Sequence, residues 1–532
     1  MAAKDAVSVV VITYNDAVHL PDAIESALAQ GEIVHEVVVV DDASTDDTPQ
    51  VLGRWPRDRV RVVRRTVNSG GCGAPRNDGT AFARAPWVLY LDSDDVLPPG
   101  AVQKLLAAAE AADADFAVGA CVRHELPENR DVPWQRELFT NRGVYSLALR
   151  PETLWDTLAV NKLYRRSFLT ANKIQFPDGD EHYEDFVFTA DVYAAATRFA
   201  VIPDHVYTWN VRRRSAAPSI SLRRDQLKNW QDRLKAHTHV LKTMRATGET
   251  RLVDAAERKF VEHDLALYLR DLHTKDADYQ QQWWDATRAH LDTFGYRGIE
   301  TANAPMRWIS ALIALRGQPT ALPRLAELAA EPARLVPPYA GTPNRPLWDD
   351  EEPSVPLTGL TTESPDRLPI NIEAAVTMSG PRLALVLRVA DLYGLLSRAG
   401  AVGADIILRD RHGRAERRRA AQLETVARDG FLHGKATLEG GTLRGLEAFA
   451  TWDIWARISF RDGTFREVRV RAGGGSGLGR HLVPDLRRGV LLVQPYRTSS
   501  HSLGVRVADG PRGAAAVASA RMKRRKAPGK KS

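Results

Sequence analysis

The chain has little cysteine: two residues, Cys72 and Cys121, in 532 positions, which excludes a disulfide framework. It has no uninterrupted apolar run near the ~18–20 residues that span a bilayer. Met1 to Ala6 pass straight into VSVVVIT without a signal-peptide pattern, so the expected location is the cytosol. No fixed-period repeat is present. A surplus of one charge is also missing from most of the chain. From Arg512 onward eight of the 73 lysines and arginines occur with no acid, which leaves 65 cations against 66 acids in residues 1–511. That distribution argues against nucleic acid. It leaves a basic tail, 512–532, that reads either as solvated and disordered or as a contact for anionic lipid or another anionic polymer. Composition is otherwise that of a globular protein, and the length suggests three to four units of roughly 150 residues.

The first 120 residues alternate strand and helix signals. Ser8 to Thr13, Val37 to Val40, Val60 to Val63 and Trp87 to Leu91 are short runs of the kind buried on both faces of a parallel sheet. A helix with Pro21 in its first turn and Ile24, Ala27 and Leu28 at helical spacing lies between the first two, and Ser44 or Thr45 is a suitable cap for the next. The series predicts an open α/β sheet, whose ligands gather at the carboxyl ends of its strands. Residues 223–335 read as a helical linker unit and the proline-rich stretch 336–364 as a linker. Residues 365–511 read as an antiparallel β-sandwich, because in Trp452 to Phe460 the even positions share one face, and Asp462-Gly463 supplies a hairpin turn.

The polar strand ends are the candidates for chemistry. After the first strand come Thr13, Tyr14 and Asn15, after the second Asp41 and Asp42, and after the fourth Asp92, Ser93, Asp94 and Asp95. Carboxylates suit hard divalent cations, and two separated by one residue can share a metal with a diphosphate. Asp-x-Asp also occurs at Asp113, Asp178 and Asp276, so position at a core strand's end, not spacing, singles out Asp92 and Asp94. The competing reading is that Asp92 to Asp95 cap a helix beginning near Pro98. Downstream, Asn161-Lys162-Leu163-Tyr164-Arg165-Arg166 precedes a Glu184-Asp185 pair in an aromatic setting, which reads as a catalytic base with a neighbour or as an ordinary acidic helix start. His182 reads as an orienting or packing residue.

In order, VSVVVITYN, VVVVDDASTDDT and NSGGCGAPRNDGTAFARAPWVLYLDSDD resemble the nucleotide-sugar-binding half of inverting family-two glycosyltransferases with the GT-A fold, over roughly residues 7–222 of a domain taken as 1–222. The resemblance implies a UDP-sugar donor and Mn²⁺ or Mg²⁺. By it Thr13 and Asp42 hold uracil, with Tyr14 and Asn15 beside them. Asn68 and Arg76 serve the nucleotide and diphosphate, Asp92 and Ser93 the ribose and metal neighbourhood, and Asp94 the metal. Asp185 is the base with Glu184 beside it, and Tyr207 to Arg214 with Ser219 to Ser221, an aromatic strand running into a cationic segment, resembles a loop closing over the diphosphate, Arg212 standing for its cations. A basic surface patch is the alternative for that segment. The full layout is similar to bacterial transferases that attach N-acetylglucosamine to poly(ribitol phosphate) in wall teichoic acid. That likeness implies a polymeric, anionic glycan acceptor and a homo-oligomer, often a trimer, through the β-domain, while the basic tail offers a contact with the inner face of the membrane; a purely structural sandwich fits the same β-domain residues. A non-catalytic glycan-binding scaffold and a two-carboxylate hydrolase remain alternatives, as does a sugar nucleotidyltransferase, although the last calls for a glycine-rich loop where Thr13-Tyr14-Asn15 stands.

Overall fold

The structure, a computed structural model, describes residues 6–509 apart from 128, 213–223, 331–334, 337, 412–414, 425–429, 445–448, 474–476, 486–488 and 499–500. The basic tail and the cations Arg213 and Arg214 with Ser219 to Ser221 lie outside the described residues. The chain forms two compact units, 1–264 with 276–302 and 265–275 with 303–532. The helices of 223–335, expected as a unit of their own, are therefore divided between them.

The first unit begins β1 (Val7–Thr13), α1 (Leu20–Leu28), β2 (Val34–Asp41), α2 (Thr48–Leu52), β3 (Val60–Arg64), α3 (Gly73–Phe82), β4 (Trp87–Asp92) and α4 (Ala101–Ala111). It continues with β5 (Phe116–Leu126), β6 (Arg130–Pro133), β7 (Gly143–Tyr145), β8 (Lys162–Arg165), α5 (Arg166–Ala171), α6 (Glu184–Ala195), β9 (Phe199–Arg212), α7 (Leu227–Ala246) and α8 (Thr250–Lys259). The nine strands run in the order β3-β2-β1-β4-β8-β5-β9-β7, with β6 on β5. Strands β1 to β4 are mutually parallel, and β8 is antiparallel to both β4 and β5. Every residue of β1 is buried, which is why its sequence shows no polar alternation. Because β2 and β4 flank β1 on opposite sides, the loops beyond Thr13 and Asp92 bound the crevice in which sheets of this topology take their ligands.

Helix α3 lies close on this sheet. A Cβ at Gly79 would come within 2.2 Å of Val10 Cγ1, so a side chain there would push the helix off β1. Beneath its other flank Tyr90, Tyr164, Phe176 and Phe188 form an aromatic floor, Phe176 and Phe188 stacked at 3.8 Å. Two expected caps are not used. Helix α4 starts after Gly100, in the left-handed region at φ 72°, with no side-chain cap, so Asp92 to Asp95 are not helix caps. Helix α2 starts after Asp47, and Ser44 instead accepts from the Asn15 N–H through its hydroxyl at 2.9 Å.

Among the described residues of the second unit the strands are antiparallel except for a short parallel pairing of Glu373 and Ala374 with Arg471 and Ala472. Strand Phe449–Phe460 buries Trp452, Ile454, Ala456, Ile458 and Phe460 and leaves Asp453, Trp455, Arg457 and Ser459 partly exposed, as its alternation predicts. Gly463, at φ 85°, makes the turn into Phe465–Arg469. Strand Glu416–Leu423 pairs with Ala401–Asp410 and then with Phe431–Glu439, joining two sets of strands. The proline-rich stretch is not a bare linker: Ala340–Thr342 pairs with Arg345–Leu347, and Trp348, Val355, Leu357 and Leu360 are buried. Arg324 covers the Trp348 ring at 4.1 Å.

Candidate active site

The crevice is built from loops that strand ends hold in place. At β1, Thr13 is buried and its hydroxyl has no partner among the described residues, an orphaned group of the kind a ligand satisfies. Tyr14 beside it is 50% exposed. Asn15, in the left-handed region at φ 50°, accepts from the Thr45 N–H at 2.7 Å and so ties the loop after β1 to the loop after β2. Asp42 is fully engaged: Arg65, Asn68 Nδ2, the Ser69 N–H and the Ser69 hydroxyl all reach its carboxylate at 2.8–3.1 Å. Asp42 and Asn68 are thus brought together, and the first role visible for both is to fix the 65–69 loop.

Across the crevice, the loop after β4 is held by the end of β9. Asp95 is buried and accepts from Tyr207 Oη and the Asn210 N–H, both at 2.7 Å. Asn210 Nδ2 and Arg212 Nη1 donate to the Asp94 carbonyl at 2.9 and 3.1 Å, and Arg212 lies 3.3 Å from Asp94 Oδ2. Ser93 donates to Asp16 Oδ2 at 2.8 Å. Residues Tyr207 to Arg212, the aromatic strand expected to lead into the cationic closing segment, are strand paired with Cys121 to Leu126. Burial and the neighbouring Asp92 raise the Asp94 carboxyl to about 6, with Arg212 opposing. A divalent cation fits this carboxylate, which is short of positive charge and 40% exposed. Among the described residues no group of three or more His, Cys, Asp or Glu is arranged to hold a metal, so the remaining ligands would be diphosphate oxygens and water. The other Asp-x-Asp sequences are accounted for elsewhere: Asp113 pairs with Arg165 and Arg198, Asp276 caps a helix, and Asp178 accepts from Asn77.

Arg76 joins this half of the site to the next. It lies in α3 at 3% exposure, its guanidinium 5.2 Å from the Phe176 ring centre. Its Nη2 donates to Asp92 Oδ1 at 2.8 Å, and its Nη1 to Asp185 Oδ1 at 2.6 Å and Glu184 Oε1 at 3.0 Å. Burial works against the cation, but Asp185 and Asp92 more than offset it and raise its pKa above the ordinary value. Expected at the diphosphate, Arg76 is here committed to three carboxylates. Glu184 and Asp185 do begin a helix, and they also face this cation; the preceding Tyr183, at φ 70°, turns the chain into α6. Burial raises both carboxyls, Glu184 to about 7 with Asp185 as the next cause, while Arg76 restrains Asp185. His182 pairs with Asp232 at 2.6 Å, away from any metal-like cluster. Sequence reasoning gave no individual role to Asp16, Arg65, Ser69 or Asn210. Asp16 adjoins a segment already singled out, and Ser69 and Asn210 lie within two others, whereas nothing local marks Arg65.

Residues 8–171 match the family model Glycosyl transferase family 2. The chain is 32% identical over 211 residues to the poly(ribitol-phosphate) beta-glucosyltransferase of Bacillus spizizenii, covering 39% of this chain and 32% of that protein. It is 31% identical over 209 residues to the poly(ribitol-phosphate) beta-N-acetylglucosaminyltransferase TarS of Staphylococcus aureus, covering 39% of this chain and 35% of that protein. The matched segment thus spans about a third of either relative's length. The S. aureus TarS crystal structure superposes with a TM-score of 0.53 at 19% identity, covering 95% of this chain and 85% of that one. Its residues 1–349 in complex with UDP-GlcNAc give 0.52 at 21% identity, covering 66% and 98%. At these identities the superpositions establish the fold alone. Over residues 8–171, then, the chain is similar to glycosyl transferase family 2.

Proposed function

We propose that this protein transfers a sugar, with inversion, from a UDP-sugar to a hydroxyl of an anionic cell-envelope glycopolymer, with a divalent cation at Asp94. The observation that carries the reading is the placement of Arg76, which links the strand-end acids near the donor crevice to a carboxylate pair of raised pKa. An inverting transfer needs one base to take the acceptor's proton as its oxygen attacks the anomeric carbon opposite the leaving diphosphate. Asp185 has that role, with Glu184 beside it. Thr13 and Tyr14 supply a hydroxyl and an aromatic face for the uracil, and Arg212 stands at the diphosphate end. A bound cation would supply charge neutralisation for the leaving UDP. The names of the two relatives support a poly(polyol phosphate) acceptor and differ in the sugar, so glucose and N-acetylglucosamine are both candidate cargoes. The reaction belongs on the cytoplasmic side of the membrane, where the basic tail would meet anionic headgroups.

Calorimetric titration of UDP, with and without Mn²⁺, tests the donor site. The unmodified protein is expected to bind more tightly with the cation, and Asp94→Ala to lose about tenfold or more in affinity, roughly 1.4 kcal/mol. Asp185→Asn is expected to keep UDP binding and lose about 10²–10⁴ in turnover. Absence of UDP binding under both conditions would overturn the assignment.

A further inference from the structure

Asn161 precedes β8, which begins Lys162-Leu163-Tyr164, and the donor site makes no use of this run. Lys162 is completely buried, a rare state for lysine unless it is paired. Its ammonium donates to Asp156 Oδ2 at 2.6 Å, to Asn161 Oδ1 at 3.0 Å and to the Leu158 carbonyl at 2.5 Å. Asp156 is itself buried, and Asn161 is anchored by donating to the Gly119 carbonyl at 3.0 Å. The Leu158 carbonyl shares a peptide plane with the Ala159 N–H, and that N–H donates to Asp185 Oδ2 at 3.1 Å. Tyr164 Oη donates to the Ala159 carbonyl at 2.8 Å and fixes the next peptide. One carboxylate oxygen of Asp185 is therefore held by Arg76 directly, and the other by Lys162 through a single peptide group.

We propose that Lys162 is a positioning residue for Asp185, acting through the Leu158–Ala159 peptide: the ammonium fixes that peptide's plane and polarises its N–H toward the carboxylate, which orients Asp185 for proton removal. The inference rests on the reading of Asp185 as the base. A cation on the carbonyl end strengthens the donor at the other end of the same amide. Lys162 and the Ala159 N–H also join Arg76 in opposing the burial that raises the Asp185 carboxyl. The Asp156–Lys162 pair thereby explains why two charges are kept where an apolar pair would fold as well.

The test uses water as acceptor, so that no polymer has to be chosen. UDP-glucose and UDP-N-acetylglucosamine are supplied with Mn²⁺, and UDP release is followed. In this step a water O–H gives its proton to Asp185, its oxygen bonds to the anomeric carbon, and the bond to the diphosphate oxygen breaks. Lys162→Met is expected to lower kcat about tenfold or more, the scale on which small misplacements act, while KM for the donor and UDP affinity stay within about twofold of the unmodified protein. If Lys162→Met does not fold because Asp156 is stranded, the double variant Asp156→Asn/Lys162→Met removes both charges, and the same loss of kcat is expected at a thermal midpoint near the original. A folded variant that turns over at the original kcat overturns the proposal alone. No UDP release by the unmodified protein overturns the assignment of Asp185 and the proposal with it.

Discussion

At the scale of single residues, the site is a problem in charge balance. One cation, Arg76, faces Asp92, Glu184 and Asp185, and burial makes the imbalance count. Glu184 shows the sign of the effect. Its folded pKa of about 7 lies above the ordinary 4.5, so the protonated form is favoured in the fold. The stability this contributes is complete below about 4.5 and is lost as pH rises through 7. Glu184→Gln is therefore expected to melt a few degrees above the unmodified protein at pH 8, with the gap closing by pH 5, as differential scanning calorimetry at the two pH values would reveal. None of this balance could be read along the chain. Asp92, Asp94 and Asp185 stand out as acids in telling places, but the partners of Arg76 lie 16, 108 and 109 positions away. Lys162 was less legible still, because a lysine amid Asn, Leu and Tyr reads as an ordinary surface residue until the fold buries it.

At the scale of elements, the sequence was informative wherever a face is fully buried. The parallel strands β1, β2 and β4 announce themselves as unbroken β-branched or apolar runs, and the alternation in Phe449–Phe460 matches its observed faces. Helix starts were less legible, because loop-to-loop bonds claim the side chains that would otherwise cap. Ser44 serves Asn15 and Asp95 serves Tyr207 and Asn210, neither of which local sequence reveals. The packing of α3 offers a test at this scale. A Cβ on Gly73 would lie 2.0 Å from the Pro177 carbonyl oxygen, a backbone atom with little freedom to retreat. Gly73→Ala is expected to destabilise the protein by about 1–3 kcal/mol through this overlap, seen as a lower urea midpoint with unchanged slope. Because α3 carries Arg76, UDP release from donor should fall in the same variant.

At the scale of the whole molecule, charge is partitioned: eight cations sit in residues 512–532 while the rest is nearly balanced. Each lysine or arginine near an anionic bilayer adds about 1 kcal/mol of attraction. Removing residues 512–532 is therefore expected to abolish co-sedimentation with phosphatidylserine-containing vesicles at low salt and to leave UDP titrations unchanged. Equal sedimentation of both forms would place the contact elsewhere. Among the described residues no helix is long and apolar enough to cross a membrane. The two compact units are also interleaved along the chain, which passes from one to the other at 264, 275 and 302. On the ribosome this order imposes a delay. The segment 276–302 brings Trp283, which stacks on buried Trp230 at 5.1 Å, and it emerges only after 265–275, which belong to the later unit. At the ordinary pace of translation the first unit therefore waits on the order of seconds, with Trp230 uncovered, for the indole that completes its core. A message truncated at codon 264 would encode every acid of the site and still not encode a finished unit.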